Sequence, residues 1–236
     1  MRSLINISLL IVLTLSAQAQ EAEKVDTTVA SKKYLPTGLR LGVDALSLAR
    51  NFYDDSFTGW EVNADVDFYR YHLAVDYGYW GRDYNDNGNV YANDGTYMRV
   101  GADVNFLMKD PDRNMFFIGA RYGRGVFSED LTIETVDPIW GEVTSTLSNN
   151  NVTASWYELT TGIRVKMWKM IWMGYTARFK FGLNTNETGD LIPSDVPGYG
   201  GTDKESTWGF NYQIFVRIPV RKAPSGPLKV SKSSKK

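Results

Sequence analysis

The sequence predicts an all-β fold, an eight-stranded antiparallel up-and-down transmembrane β-barrel. Three observations predict it. Stretches of strict two-residue alternation recur along the chain. The connections between them are long and short in turn. Aromatic residues gather at both ends of the alternating stretches. The clearest stretch is residues 60–68, where Trp60, Val62, Ala64, Val66 and Phe68 share one face and Glu61, Asn63, Asp65 and Asp67 share the other. Successive strand side chains point to opposite faces, so this pattern reads as a strand; a helix would scatter the three carboxylates.

Composition sets the frame. The chain has 236 residues, a formal net charge of −1, 14 Tyr, 7 Trp and no Cys. Near-neutral charge gives no sign of a nucleic-acid partner. Lack of cysteine excludes disulfides, thiolate chemistry, lipoprotein acylation and Cys-bound metals. The slightly negative mean hydropathy suits a barrel whose strands turn half their side chains to a polar interior.

Residues 1–19 read as a cleaved signal peptide. Arg2 supplies the positive end, residues 4–15 the apolar stretch, and Ala17-Gln18-Ala19 the small-residue cleavage site. No later stretch approaches the roughly 18 apolar residues of a membrane helix. An exported chain that spans a membrane must then do so as a closed barrel. Residues 20–36 read as a flexible periplasmic lead-in, 37–220 as the barrel, and 221–236 as a basic, disordered periplasmic tail.

The strands follow in order. The first is expected over 38–48, with Leu39, Leu41, Val43 and Ala45 opposed to Arg40, Gly42 and Asp44. The second is residues 60–68. The third sets Leu73, Val75, Tyr77 and Tyr79 against His72, Ala74, Asp76 and Gly78. The fourth sets Met98, Val100, Ala102, Val104 and Phe106 against Arg99, Gly101, Asp103 and Asn105. The fifth sets Phe116, Ile118, Ala120 and Tyr122 against Phe117, Gly119, Arg121 and Gly123. A long connection spans about 126–154, with segments able to extend its hairpin. The sixth strand sets Tyr157, Leu159, Thr161, Ile163, Val165 and Met167 against Glu158, Thr160, Gly162, Arg164 and Lys166. The seventh sets Met173, Tyr175, Ala177, Phe179 and Phe181 against Gly174, Thr176, Arg178, Lys180 and Gly182. After a polar loop over 184–206, the eighth sets Trp208, Phe210, Tyr212, Ile214, Val216 and Ile218 against Gly209, Asn211, Gln213 and Arg217.

Connections after strands one, three, five and seven are long and polar, and those after two, four and six are short. Outer-membrane barrels have long extracellular loops and short periplasmic turns. Trp60, Tyr79, Trp80, Trp156, Tyr157 and Trp208 fall at the loop ends, and Tyr69, Tyr71, Trp168 and Trp172 at the turn ends. That gives two interfacial belts. A soluble, lipocalin-like ligand-binding barrel shares the alternation but requires neither feature.

The other face carries Arg40, Asp44, Glu61, Asp65, Asp67, Asp76, Arg99, Asp103, Arg121, Glu158, Arg164, Lys166, Arg178, Lys180 and Arg217. Acids come early and bases late, so closure brings them together. Eight strands leave an interior that side chains can fill. The expectation is a charge-paired, non-conducting lumen.

Gly209-Phe210-Asn211-Tyr212-Gln213-Ile214 resembles the last-strand assembly signal of small outer-membrane barrels, with Gly209, Tyr212 and Ile214 in its fixed places. The chain resembles the OmpX and OmpA transmembrane-domain kind over about 38–220, and its style is similar to outer-membrane barrel families of the Bacteroidota. The resemblance is one of architecture. It implies residence in the outer membrane of a Gram-negative envelope, contact with outer-membrane lipid, and insertion by the barrel-assembly machinery.

Residues 83–94 carry calcium-loop spacing, with Asp83, Asn85, Asn87 and Asn89 as oxygen donors, Gly88 at the turn and Asp94 at the last position. The final acid is Asp rather than Glu and the flanks are strands. An ordinary surface loop uses the same residues, and that reading is preferred; apart from calcium there, no cofactor is expected. His72 is the one histidine, near the turn end of strand three, and no Ser shares its face nearby. No catalytic residue is assigned. The expected role is structural or accessory, with an envelope protein as partner. A lipid-modifying enzyme and a narrow channel are the alternatives.

Overall fold

In the computed structural model, the described residues are 35–86, 89–139, 141–186 and 191–221. The signal-peptide reading, all of the lead-in but residues 35 and 36, Asn87 and all of the tail but residue 221 lie outside them. The elements are β1 (Gly38–Asp44), α1 (Ala45–Arg50), β2 (Phe57–Phe68), β3 (Tyr71–Asp86), β4 (Asn89–Asn105), β5 (Met115–Asp137), β6 (Gly141–Trp168), β7 (Ile171–Thr185), β8 (Asp195–Val196), β9 (Gly200–Gly201) and β10 (Ser206–Pro219). Eight of them close an antiparallel barrel in the order β1-β10-β7-β6-β5-β4-β3-β2; β8 and β9 form a separate small hairpin. The seam joins β1 to β10, with Gly38 opposite Pro219 and Asp44 opposite Gln213.

Alternation fixes which face goes where. Along β2, Glu61, Asn63, Asp65 and Asp67 are buried, while Trp60 and Val62 are exposed. The same inversion holds on β3, β4 and β5, where Leu73, Val75, Val100, Ile118 and Tyr122 look outward and His72, Asp76, Arg99 and Arg121 look inward. A barrel standing in water would do the opposite.

The turn end is tight. Two-residue connections join β2 to β3 and β6 to β7, with Tyr69 at φ 67° and Lys169 at φ 35°. Positive φ in such turns matches their twist to that of the flanking strands. At the loop end the strands run on. The pairing of β5 with β6 continues to Asp137 opposite Gly141, broken by an irregularity between Phe127 and Glu129. Most of the connection over 126–154 is therefore a long hairpin.

Two expectations on strand extent are corrected. The first strand stops at Asp44 rather than Leu48, because Asp44 caps a helical turn. Its carboxylate accepts from Leu46 N and Ser47 N, both at 3.3 Å, and from Ser47 Oγ at 2.5 Å. An Asp before Ala-Leu-Ser-Leu-Ala-Arg offers the helix more than alternation offers the strand. The connection over 184–206 is also more than an exposed polar loop. Its described part over 191–205 forms β8 and β9 and folds into the barrel mouth.

The interior carries apolar groups too. Met115, Phe117, Trp172 and Phe215 are buried toward the turn end. Toward the loop end Tyr97, Phe127, Val152, Ala154, Trp156, Val196 and Tyr199 form one cluster. Gly123 makes room for it: a Cβ there would overlap the Trp156 indole.

Candidate functional site

The lumen is a stack of charged layers. At the turn end Asp67 accepts from Thr37 N at 2.6 Å, Gly38 N at 2.9 Å and Arg217 Nη2 at 2.7 Å. One layer up, Asp65 accepts from Arg40 Nε at 2.8 Å and from Arg164 Nη1 across the barrel at 2.7 Å. His72 Nδ1 lies 2.8 Å from Arg40 Nη2 and 3.4 Å from Asp65 Oδ1. The Arg164 guanidinium sits 4.8 Å from the ring centres of both Phe117 and Phe215. Asp103 holds Arg121 at 2.8 Å.

The middle layer centres on Arg99. It donates to Glu61 and lies 3.5 Å from both Asp76 and Glu158. Arg178 donates to Glu158 Oε2 at 3.0 Å, Asp76 Oδ2 at 3.1 Å and Asn211 Oδ1 at 2.6 Å. Tyr97 donates to Glu61 at 2.8 Å, and Asp44 accepts from Asn211 Nδ2 at 2.8 Å. Glu61, Arg99, Glu158 and Arg178 are each no more than 2% exposed, so the bore is filled at this level. Charges this deep require mutual pairing, because an unpaired one would bear the whole desolvation penalty.

Two residues assigned to this network sit differently. Lys166 lies outside the bore at the turn end, partly exposed, and reaches Asp112 Oδ1 at 3.1 Å. It is near the end of its strand, where the lumen face opens to solvent. Lys180 is buried, but its Nζ donates to the carbonyls of Gly198 at 2.8 Å and Tyr199 at 2.9 Å rather than to an acid.

Those carbonyls belong to the mouth segment, residues 191–205. Val196 and Tyr199 are almost wholly buried in it. Tyr199 meets Trp156 edge-on at 5.9 Å, and Trp156 donates from Nε1 to Glu158 at 2.8 Å. Trp156 was expected in the loop-end belt; it belongs to the lumen phase and fills the bore, as Trp172 does at the turn end. The segment is also tied at its rim. Asn93 Nδ2 donates to Asp195 O and Asn149 Nδ2 to Leu191 O, each at 2.5 Å, and Arg82 Nε lies 2.8 Å from Asp195 Oδ2. Sequence reasoning passed over this plug. The apolar and Gly/Pro run Val196-Pro197-Gly198-Tyr199, inside a polar connection, is the signal that marks it.

The plug predicts its own pH dependence. Above the belts, burial is the largest influence on Glu129 and Asp195 and pushes both carboxyls up; hydrogen bonds from Asn149 and Tyr91 oppose it for Glu129, and Arg82 opposes it for Asp195. A carboxyl whose pKa is higher folded than unfolded contributes stability below the ordinary carboxylate range. That contribution fades as pH rises through the folded value. The mouth should therefore dock more firmly at about pH 5 than at about pH 8. Amide exchange of Val196, Gly198 and Tyr199, corrected for intrinsic rates, should be slower at the acid end. The reverse order would mean that the Arg82–Asp195 attraction controls the mouth.

Of the calcium-loop spacing, Asn87 and Gly88 lie outside the described residues. Residues 83–86 of β3 pair with residues 89–92 of β4, with Asp83 opposite Ala92 and Asn85 opposite Val90. Alternation puts Asp83, Asn85 and Asp94 on the outer face and Asn89 on the inner one. The described donors lie along the β3–β4 ladder. Among the described residues no cluster of three or more His, Cys, Asp or Glu side chains could hold a metal. In the assembly signal, Tyr212 and Ile214 face outward on β10 and Gly209 inward, beside the Lys180 side chain.

A family model described as a domain of unknown function, DUF6048, matches residues 1–223. No curated protein matches the chain. Two solved structures from Acinetobacter baumannii are similar to it. CarO is 13% identical, covers 79% of this chain and 99% of its own, and gives a TM-score of 0.36. CarO2 is 14% identical, covers 78% and 98%, and gives 0.35.

Proposed function

The chain belongs to the DUF6048 family, and we propose that it is an integral outer-membrane β-barrel acting from its extracellular end, in a structural or partner-binding role, with a lumen that does not conduct. The observation that carries this reading is the inversion of the barrel, with ions inside and apolar groups outside. Val62, Val75, Val100, Ile118 and Leu159 are all 40% exposed or more. Contiguous apolar wall of this kind marks contact with something other than water. Aromatic rings edge it, as amphipathic rings do at a membrane interface. Toward the loop end Tyr122 packs on Tyr157 at 5.6 Å and Phe179 on Trp208 at 5.1 Å; toward the turn end stand Tyr71 and Trp168.

Lipid is the wall's partner in this reading, and the barrel-assembly machinery inserts it through the β10 signal. An envelope protein would meet the long hairpins, which leave the wall's height. Enzymatic activity is not proposed: His72 is enclosed by Arg40 and Asp65, away from the lipid-facing wall where lipid chemistry would need it.

Two measurements test this. Alkaline carbonate should leave the protein in the envelope pellet; release into the soluble fraction would end the membrane reading. In a planar bilayer, refolded protein should give no stable current steps, since Arg99, Arg178, Glu61 and Glu158 close the bore. Reproducible steps would overturn the closed lumen and favour a narrow channel.

A further inference from the structure

A cavity of about 540 Å³ opens between the tips of β3 and β4 and the mouth segment; Arg82, Tyr84, Tyr91, Leu131, Ile192 and Asp195 are on its wall. We propose that this cavity binds a neutral sugar ring, a one- or two-residue unit of a glycan. The inference deepens the proposed function, since it rests on this end facing outward.

The volume is in the range of small-ligand sites. Tyr84 and Tyr91 are cross-strand neighbours, stacked with centroids 6.4 Å apart and planes at 26°. They supply a flat platform with polar tips, the surface on which the C–H face of a sugar ring lies. Leu131 and Ile192 add apolar wall, and Ile192 is 80% exposed. The polar side is a donor beside an acceptor. Arg82 Nε and Asp195 Oδ2 form an ion pair at 2.8 Å, and the Trp80 indole N–H also faces the carboxylate, yet neither Arg82 Nε nor Asp195 Oδ2 makes a well-aligned hydrogen bond. Asp195 is 7% exposed. Buried polar atoms left without hydrogen bonds are costly, and a ligand that completes them recovers that cost. Two adjacent ring hydroxyls do so, one accepting from the guanidinium and its neighbour donating to the carboxylate.

The same features exclude other ligand classes. Arg82 and Asp195 cancel in charge, so an ionic ligand would have to break the pair. A wholly apolar ligand would leave the ion pair without the well-aligned hydrogen bonds it lacks. A neutral polyhydroxyl ring meets platform and fork together.

The test is saturation-transfer NMR on the refolded full chain in detergent. The probes are free glucose, galactose, mannose and N-acetylglucosamine, with lipid-stripped surface polysaccharide in a second arm. At least one probe should show saturable transfer from the aromatic protons. Signal in the first arm assigns a free sugar; signal confined to the second assigns a longer glycan. Tyr84→Ala and Asp195→Asn should each weaken binding at least tenfold, while Tyr53→Ala, an exposed aromatic away from the cavity, should leave it unchanged. Each sample is first checked for the heat-sensitive gel mobility of a closed barrel and for carbonate resistance. No saturable transfer from an intact, membrane-held barrel overturns the sugar site and leaves the proposed function standing, as does transfer that survives both cavity substitutions. Loss of carbonate resistance in the wild-type chain overturns the membrane reading itself.

Discussion

Asp65→Ala is expected to destabilise the barrel by about 3–5 kcal/mol, the cost of removing one partner from a buried ion cluster. Asp65 joins strands that are far apart in sequence. It takes Arg40 from β1 and Arg164 from β6, at 2.8 and 2.7 Å, with His72 of β3 beside them. Its side chain is 2% exposed, so water cannot replace it. Without it two guanidiniums face each other. Nothing else within reach neutralises both: Asp103 lies 3.6 Å from Arg164 and already holds Arg121 at 2.8 Å. Urea unfolding in detergent, followed by tryptophan fluorescence, should show the midpoint falling with little change in slope. Asp65→Asn keeps one acceptor and should fall between the two. Adding Arg164→Met to Asp65→Ala should recover part of the loss, because the second change removes a stranded charge, and the two residues are in contact and so not additive. An Asp65→Ala midpoint equal to wild type would mean that this layer is wet, and the filled-lumen account would fail with it.

That cluster was legible in the sequence for a simple reason. Period-two alternation is local, so Asp65 and Arg164 announce their face without any knowledge of what stands opposite. The identities of the pairs were not legible. Which base meets Asp65 depends on the offset between β2 and β6 round the closed wall, a tertiary quantity. The face also failed where strands end. Lys166 obeys the alternation, but the bore has opened by that level, and Asp112 from the neighbouring turn takes it. Asp44 obeys it as well, and its carboxylate then caps α1 as well as accepting Asn211.

The mouth was misread for a different reason. Loop-like composition identifies residues that can turn, not residues that must be exposed. Val196 and Tyr199 are buried because the upper bore, lined by Phe127, Val152 and Trp156, is apolar and would otherwise stand open. The Asn- and Asp-rich stretch over 83–94 shows the converse. Its residues satisfy a spacing rule written for a coiled loop, and here the β3–β4 ladder pairs residues 83–86 with 89–92.

Val100→Arg carries the second large effect, because it asks what medium surrounds the wall. Val100 faces outward, opposite Val75 on β3 and Tyr122 on β5. It sits midway between the turn-end ring of Tyr71, opposite Val104, and the loop-end ring of Tyr79, opposite Thr96. In the proposed membrane placement, the nearest lipid headgroups at that depth are half a membrane away. An arginine at the midplane of a lipid-facing barrel wall costs about 2–4 kcal/mol. The loss should appear as a lower unfolding midpoint in lipid vesicles and as poorer insertion during refolding. Thr146→Arg, on the exposed β5–β6 hairpin beyond the belts, should cost nothing measurable. The contrast separates the two media. In a barrel surrounded by water, Val100 is a surface valine and arginine there is harmless. Equal stability of the two variants in vesicles would therefore place the wall in water, whatever its aromatic belts suggest. A loss confined to Val100→Arg would set the hydrocarbon boundary between Val100 and the hairpin, leaving the mouth and its cavity above it, open to solvent.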